Sequence, residues 1–172
     1  MSAINLALTL YLVVCAGLIV QIRDISPFRR TAAAAPAAKD EQYSELVNSV
    51  HRQVNEFRRE HGLKPLTLDP SISAEAREHS AEMARSGKTL GHRGFNQRLE
   101  DIRKKIPYRA AAENVAAAAG YEDPARTVVE GWKNSREHRK NMLGDFSLTG
   151  IGVAQSSNGT YFFTQIFVEP MK

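Results

Sequence analysis

Residues 161–168 read YFFTQIFV, the stretch with the clearest structural pattern in the chain. Alternate side chains of a β-strand point to opposite faces of its sheet. This strand would therefore present two sets of side chains, Tyr161, Phe163, Gln165 and Phe167 on one face and Phe162, Thr164, Ile166 and Val168 on the other. Since both sets are mostly apolar, we predict a sheet that is covered on both sides.

A partner for this strand is predicted just upstream of it. Residues 148–154 have the composition of a strand, and the sequence SSNG at 156–159 is typical of a β-hairpin. Ahead of them, apolar residues recur at helical spacing, which predicts four helices over residues 44–61, 70–87, 95–105 and 123–134. Helices before strands, with a sheet buried on both faces, predict an α+β fold arranged as a three-layer α-β-α sandwich.

The composition limits the chain to one small folded domain. It has 172 residues, 42% of them hydrophobic and 24% charged, which is too short for two cores of ordinary size. The net charge of +4 combines 23 basic with 19 acidic residues, so it gives no sign of nucleic-acid binding. A single cysteine, Cys15, excludes an intramolecular disulfide framework and a cysteine-based zinc finger.

An almost unbroken apolar run, Ile4–Ile22, precedes this domain. At about 1.5 Å per residue it reaches roughly 28 Å as a helix, close to the thickness of a bilayer core. As a secretory signal it would be cut after the small-residue site VCA at 14–16, which would export the domain. As an uncleaved anchor, followed by Arg23, Arg29 and Arg30, it would favour a cytoplasmic domain. We expect a membrane link and favour an extracytoplasmic domain, with both forms left open.

Residues 23–42 are expected to form a linker rich in alanine and proline. Repeated alanine favours a helix, but Pro36 interrupts the run and no large side chain is available for packing. We therefore place the hydrophobic signal or anchor segment at 1–22, the linker at 23–42 and the folded domain at 43–172.

Three polar residues are candidates for a functional site. His92 lies in a glycine-flanked loop, residues 90–94 (LGHRG), where its side chain can face a cleft. Glu113 is an isolated acidic residue in an alanine-rich stretch, and a carboxylate in such surroundings needs partners. His138 follows the fourth helix, where the chain is expected to turn. By contrast, His79 falls on the inward face of the second helix and is expected to be a hydrogen-bonded core residue.

Four ordered motifs contain or flank these candidates. They are L-x-H at 90–92, A-E-N-V-A at 112–116, G-W-x-x-S-x-x-H-R-x-N-M-L at 131–143 and T-G-I-G-V-A at 149–154. In this order they resemble the CAP superfamily, which comprises cysteine-rich secretory proteins, antigen 5 and plant PR-1 proteins and is also called the SCP family. The likeness extends from Glu45 to Val168, and the absence of cysteines from the domain resembles the bacterial branch.

The resemblance implies a CAP-type sandwich with a large central cleft that holds two histidines and two acidic residues. By motif position, His92 and His138 match the histidines and Glu113 matches the first acid. The second acid of PR-1-like members lies three residues after the tryptophan, a position that is Ser135 here. The resemblance therefore supports three members of the site. In the family this cleft has held divalent metals such as zinc, while other members bind sterols or fatty acids.

The chemistry of zinc can be weighed against these residue types. His92, Glu113 and His138 are suitable ligands, since a catalytic zinc takes three protein ligands and keeps one position open. A metal-bound water there would attack an amide or ester bond, with a carboxylate accepting the proton.

Three functions are compatible with the sequence. The first is a membrane-linked or exported binding module whose cleft takes a lipid, peptide or cell-wall ligand, with or without zinc or another divalent metal. The alternative is a metal-dependent, peptidase-like hydrolase in which His92, Glu113 and His138 are catalytic. In the third, the cluster only stabilises the fold. Since the second acid is missing, no general base is assured, and we expect the binding module.

Overall fold

The structure, a computed structural model, describes residues 34–86 and 90–171. The apolar run Ile4–Ile22 with Cys15, and residues 23–33 of the expected linker, lie outside the described residues, so what was predicted for them stays a prediction. Within the described ranges, no helix is both long and apolar enough to cross a membrane.

Five helices and four strands make up the described part of the chain. The helices are α1 (Ala34–Glu60), α2 (Pro70–Ser86), α3 (Phe95–Arg103), α4 (Pro124–Asn134) and α5 (Arg136–Met142). The strands are β1 (Thr67–Leu68), β2 (Tyr108–Ala118), β3 (Leu148–Gln155) and β4 (Tyr161–Pro170). They form one mixed sheet in the order β1-β3-β4-β2, in which β1 and β3 are parallel and the other pairs are antiparallel.

The sheet lies between two layers of helices, as the alternation along β4 predicts. Phe163 and Phe167 pack into a core cluster with residues of α1, α4 and α5. Ile166 and Val168 pack on the other face, with residues of α2 and α3. The α+β class and the three-layer α-β-α sandwich are thus confirmed, and β4 is the central strand that both layers cover.

Two glycines of β3 let α2 lie directly on the sheet. A Cβ placed on Gly150 would be 2.2 Å from the backbone carbonyl carbon of Ile72, and one on Gly152 would be 2.2 Å from that of Ala76. A side chain at either position would collide with the helix backbone, which a close-packed interior cannot absorb. The T-G-I-G-V-A motif therefore has a packing role in this fold.

The first helix begins earlier than predicted. Residues 34–42, which we expected in the linker, form the first turns of α1. Pro36 does not interrupt this helix because it is the third residue, and the first N–H groups of a helix have no partner inside it. The folded part therefore extends upstream of the boundary expected at residue 43.

Two further elements were not among those predicted from the sequence. The stretch YRAAAENVAAA forms β2 although alanine has a low strand propensity, because it pairs along its length with the central strand β4. After α4, the chain does not simply turn. Ser135 takes an extended conformation (φ −94°, ψ 121°) that ends α4, and α5 begins at the next residue. As a result, His138 lies on α5, which is separate from α4.

Candidate functional site

Glu113 is the buried centre of the candidate site. It lies on β2, the strand at one edge of the sheet, and only 4% of its surface is exposed. Arg98 of α3 holds both of its carboxylate oxygens: Nε donates to Oε2 at 3.0 Å, and Nη2 donates to Oε1 at 2.8 Å and to Oε2 at 2.7 Å. The prediction that this carboxylate needs a partner is met by a bidentate guanidinium.

His92 is the second partner of Glu113. Its Nδ1 lies 3.0 Å from Glu113 Oε1, while its side chain is 51% exposed. Because a carboxylate accepts hydrogen bonds, Nδ1 carries the proton in this contact. The neutral ring then presents Nε2 as an acceptor.

The loop that carries His92 is fixed from two sides. His79 Nε2 bonds to the carbonyl of Gly91 at 2.8 Å, and Arg98 Nη1 donates to the carbonyl of Arg93 at 2.8 Å. Gly94, with a φ of 74°, then takes the left-handed conformation that starts α3, which glycine adopts without strain. The loop is therefore held in place by hydrogen bonds on both sides of His92.

His138 reaches the same edge of the sheet from the opposite layer. It is partly buried on α5, and burial lowers its pKa from the ordinary value of 6.5. The nearby His92 lowers the pKa further, whereas Glu137 raises it. The two histidines are thus close enough to influence each other, and His138 favours the neutral form.

Two asparagines hold α5 against β2. Asn114 Nδ2 donates to the carbonyl of His138 at 3.1 Å. Asn141 Nδ2 donates to Asn114 Oδ1 at 2.9 Å and to the carbonyl of Glu113 at 3.2 Å. These bonds position His138 relative to Glu113, so the motif asparagines act as structural ties.

Arg98 is the site residue that the sequence analysis missed. It is 7% exposed and lies four residues before Ile102, a core residue of the same helix. A charged residue on the inward face of a predicted helix was the available signal, because buried charges are normally paired. The isolated Glu113 was a second indication, because a buried carboxylate also needs a partner.

The three predicted zinc ligands do not fit a metal as they are arranged here. Both oxygens of Glu113 are taken by Arg98, which already neutralises its charge. Among the residues that the structure describes, no group of three or more His, Cys, Asp or Glu side chains could hold a metal ion. The second acid position, Ser135, contributes no carboxylate. These residues therefore do not support a catalytic step that uses a zinc ion.

Lowering the pH is expected to destabilise the fold in part through His138. Because its folded-state pKa lies below 6.5, the unfolded chain takes up this proton first as the pH falls. Neutral His138 therefore makes its full contribution to the free energy of unfolding above pH 6.5. This contribution is lost as the pH falls through the folded-state pKa. Urea unfolding at about pH 7.5 and about pH 5 should show a smaller pH-dependent loss for His138→Gln than for the unchanged chain. An equal loss in both would contradict this role.

The described geometry can be compared with known proteins. The sequence pattern of CAP, the cysteine-rich secretory protein family, matches residues 51–167. The uncharacterized protein YkwD of Bacillus subtilis is 31% identical over 153 residues, which cover 81% of this chain and 57% of YkwD. The chain therefore spans little more than half the length of this relative.

Two of the solved structures that are similar to this chain illustrate the likeness. An extracellular protein containing an SCP domain from Bacillus anthracis is 28% identical with a TM-score of 0.60, covering 74% of this chain and 41% of that one. NaASP2, solved with Zn²⁺, is 12% identical with a TM-score of 0.54, covering 76% of this chain and 88% of that one. The second likeness shows the shared fold, and the zinc ion is a finding about NaASP2.

Proposed function

Because this chain belongs to the CAP family of cysteine-rich secretory proteins, we propose that it is an exported or membrane-linked binding module. We infer that the edge of β2 that carries His92, Glu113 and His138 would form the cleft and would take a lipid, peptide or cell-wall ligand. The extracellular SCP protein of Bacillus anthracis supports a location outside the cytoplasm. The apolar run Ile4–Ile22 would supply the export signal or the membrane anchor.

The observation that carries this proposal is the Arg98–Glu113 pair. A carboxylate held by a bidentate guanidinium is not free to accept a proton from water, so Glu113 lacks the property that a general base needs. What the cleft presents instead is two imidazoles, one half-exposed and one that favours the neutral form. Such groups offer hydrogen bonds to a ligand without requiring turnover.

An exposed apolar residue close in sequence to His92 fits the same proposal. Leu90 is one of the few large hydrophobic residues that are exposed in the described part of the chain, and it lies two residues before His92. Ligand sites commonly combine apolar contacts with a few polar groups that fix orientation. Leu90 and the two histidines supply both kinds of contact.

The hydrolase alternative is not favoured by this arrangement. It would need Glu113 as a metal ligand or as a base, and either role requires Arg98 to release the carboxylate. Removing the guanidinium would leave a buried charge without a partner, which is costly.

Calorimetric titration of the full chain in a non-ionic detergent tests the proposal. The probes are soluble muropeptides, short unstructured peptides and dioctanoyl phosphatidylglycerol, one for each ligand class. At least one probe should bind saturably and remain intact. Replacing both imidazoles, in His92→Asn/His138→Asn, should raise its Kd about tenfold or more, as expected for the loss of two hydrogen bonds.

The matched control is His61→Asn. His61 is exposed just after α1, and its side chain bonds to the Phe57 carbonyl and to Arg139 but not to His92, Glu113 or His138, so its replacement should leave the Kd unchanged. Cleavage of a probe that disappears in the double variant would establish the hydrolase instead. Equal affinity in the double variant and the unchanged chain would mean that the cluster only stabilises the fold.

A further inference from the structure

A cleft lies between α2 and α3, with Gly94 at the start of α3 among its lining residues. It has a volume of about 150 Å³. Four of its lining residues, Glu75, Glu78, His79 and Glu82, lie on one face of α2, since they are spaced at three- and four-residue intervals. Gln97, Arg98 and Asp101 of α3 line the opposite side.

His79 is a buried acceptor without a donor. Only 3% of its surface is exposed, and its Nε2 bonds to the carbonyl of Gly91 at 2.8 Å. A carbonyl only accepts, so Nε2 carries a proton, and Nδ1 is an acceptor in the tautomer that has this single proton. Nδ1 is buried without a hydrogen-bond partner, and the nearest carboxylate oxygen, Glu82 Oε2, lies 3.5 Å away. The prediction of a core histidine is thus confirmed, but one of its two nitrogens is not satisfied.

The carboxylates around His79 carry surplus negative charge. Asp101 is paired with Lys104, and the charge of Arg98 is already engaged by Glu113. Glu75 and Glu78 form no ion pair in the described residues, and Glu82 has only His79 within ion-pair distance. The pKa of Glu75 is raised, first by burial and then by repulsion from Asp101. Among the residues that the structure describes, the cleft therefore combines three carboxylates that form no ion pair with a lysine or arginine, although Lys105 and Arg98 partly offset the shift of Glu75, with an imidazole nitrogen that has no hydrogen-bond donor.

We propose that the cleft between α2 and α3 binds a primary ammonium group, such as the end of a lysine side chain or of a diamine. An ammonium group has three N–H donors and a positive charge. Because Nδ1 is buried and Glu82 Oε2 lies 3.5 Å from it, the exposed Glu82 side chain would have to turn aside for one donor to reach Nδ1, and the other donors would reach Glu82 and Glu78. This site adjoins the His92–Glu113 pair through Arg98 and the loop at 91–94, but the proposal does not depend on the function proposed for that pair.

A divalent metal suits the cleft less well than an ammonium group does. The acidic residues from Glu75 to Glu82 are spread along about 10 Å of the helix axis, whereas metal ligands converge on one point. The described side chains contain no His, Cys, Asp or Glu group of three or more that could hold a metal ion. An ammonium group on a flexible chain needs no such convergence.

The test is a titration of the full chain, labelled with ¹⁵N at histidine, with two amines, 1,5-diaminopentane and Nα-acetyl-lysine amide. Each amine that binds should shift the Nδ1 resonance of His79 saturably. The variant Glu78→Gln/Glu82→Gln removes two charges at exposed positions and should raise the Kd about tenfold, since each exposed pair contributes a few-fold. Binding of both amines would point to a peptide lysine, and binding of the diamine alone to a free polyamine.

The matched control is Glu60→Gln, an exposed carboxylate at the end of α1, which should leave the Kd unchanged. An equal rise in Kd for this control would show non-specific attraction and would overturn the proposal. Saturable binding of Mg²⁺ or Ca²⁺ without binding of either amine would also overturn it. So would an Nδ1 resonance typical of a doubly protonated ring in the free protein at pH near 7, because a proton would then supply the missing donor.

Discussion

Replacing Arg98 by methionine is expected to lower the free energy of unfolding by about 3–5 kcal/mol. The reason is the position of its partner: the Glu113 side chain is buried and has His92 as its only other side-chain hydrogen-bond partner in the described residues. Methionine fills similar space but leaves this carboxylate without a cation. Breaking a buried ion pair from one side costs far more than replacing both partners.

Urea denaturation of the full chain measures this effect, and a second variant isolates its cause. Arg98→Met/Glu113→Gln removes the buried charge together with its partner and should recover most of the lost stability. Arg93→Met is the matched control, because this neighbouring arginine is exposed and its side chain forms no hydrogen bond or ion pair in the described residues. A single Arg98 variant within about 1 kcal/mol of the unchanged chain would show that the pair contributes little.

The same pair explains why the site was only half predictable from the sequence. His92 and Glu113 could be chosen as partners, and the structure joins them at 3.0 Å. Nothing in the spacing shows that α3 places Arg98 over the same carboxylate, because contacts between elements 15 residues apart depend on how helix and strand pack. Arginine is also a common surface residue, so its burial is visible only once the inward face of α3 is known.

The fold was more predictable because its central strand is buried on both faces. An apolar pattern on both sides of β4 requires a layer on each side, whatever the details of those layers. The edge strand β2 was not predictable in this way. Its alanine residues carry little strand preference, and its conformation comes from pairing with β4. Local sequence therefore predicted the elements with strong patterns, and tertiary pairing determined the others.

Replacing Arg58 is the second change that is expected to lower the free energy of unfolding strongly. Arg58 is 2% exposed on α1, and its guanidinium donates to four backbone carbonyls: Lys64 at 2.9 Å, Met142 at 2.7 Å, Gly144 at 2.9 Å and Phe146 at 3.0 Å. Burial lowers the pKa of Arg58, and the charge of Asp145 partly opposes that shift. The side chain therefore joins α1 to the end of α5 and to the turn that enters β3.

Arg58→Met is expected to lower the free energy of unfolding by about 4 kcal/mol, because buried carbonyls left without a donor cost about 1–3 kcal/mol each and water can reach some of them. Arg58→Lys should recover only part of the loss, since a lysine has three donors and lacks the planar fork. The control Arg59→Met removes an exposed neighbour that, within the described ranges, pairs with Glu56 alone, and it should change stability by less than about 1 kcal/mol.

Arg58 also matters for the candidate site, because it holds the end of α5 in place. Met142 is the last residue of α5, the helix that carries His138, and Arg58 bonds to its carbonyl. The Arg58→Met variant should therefore show faster amide hydrogen exchange in α5 than in the central strand β4, because local opening precedes global unfolding. The bond from Asn114 that holds the His138 carbonyl against β2 would then be weakened. Uniformly faster exchange across α5 and β4 would instead mean that Arg58 stabilises the whole domain and does not specifically position the cleft.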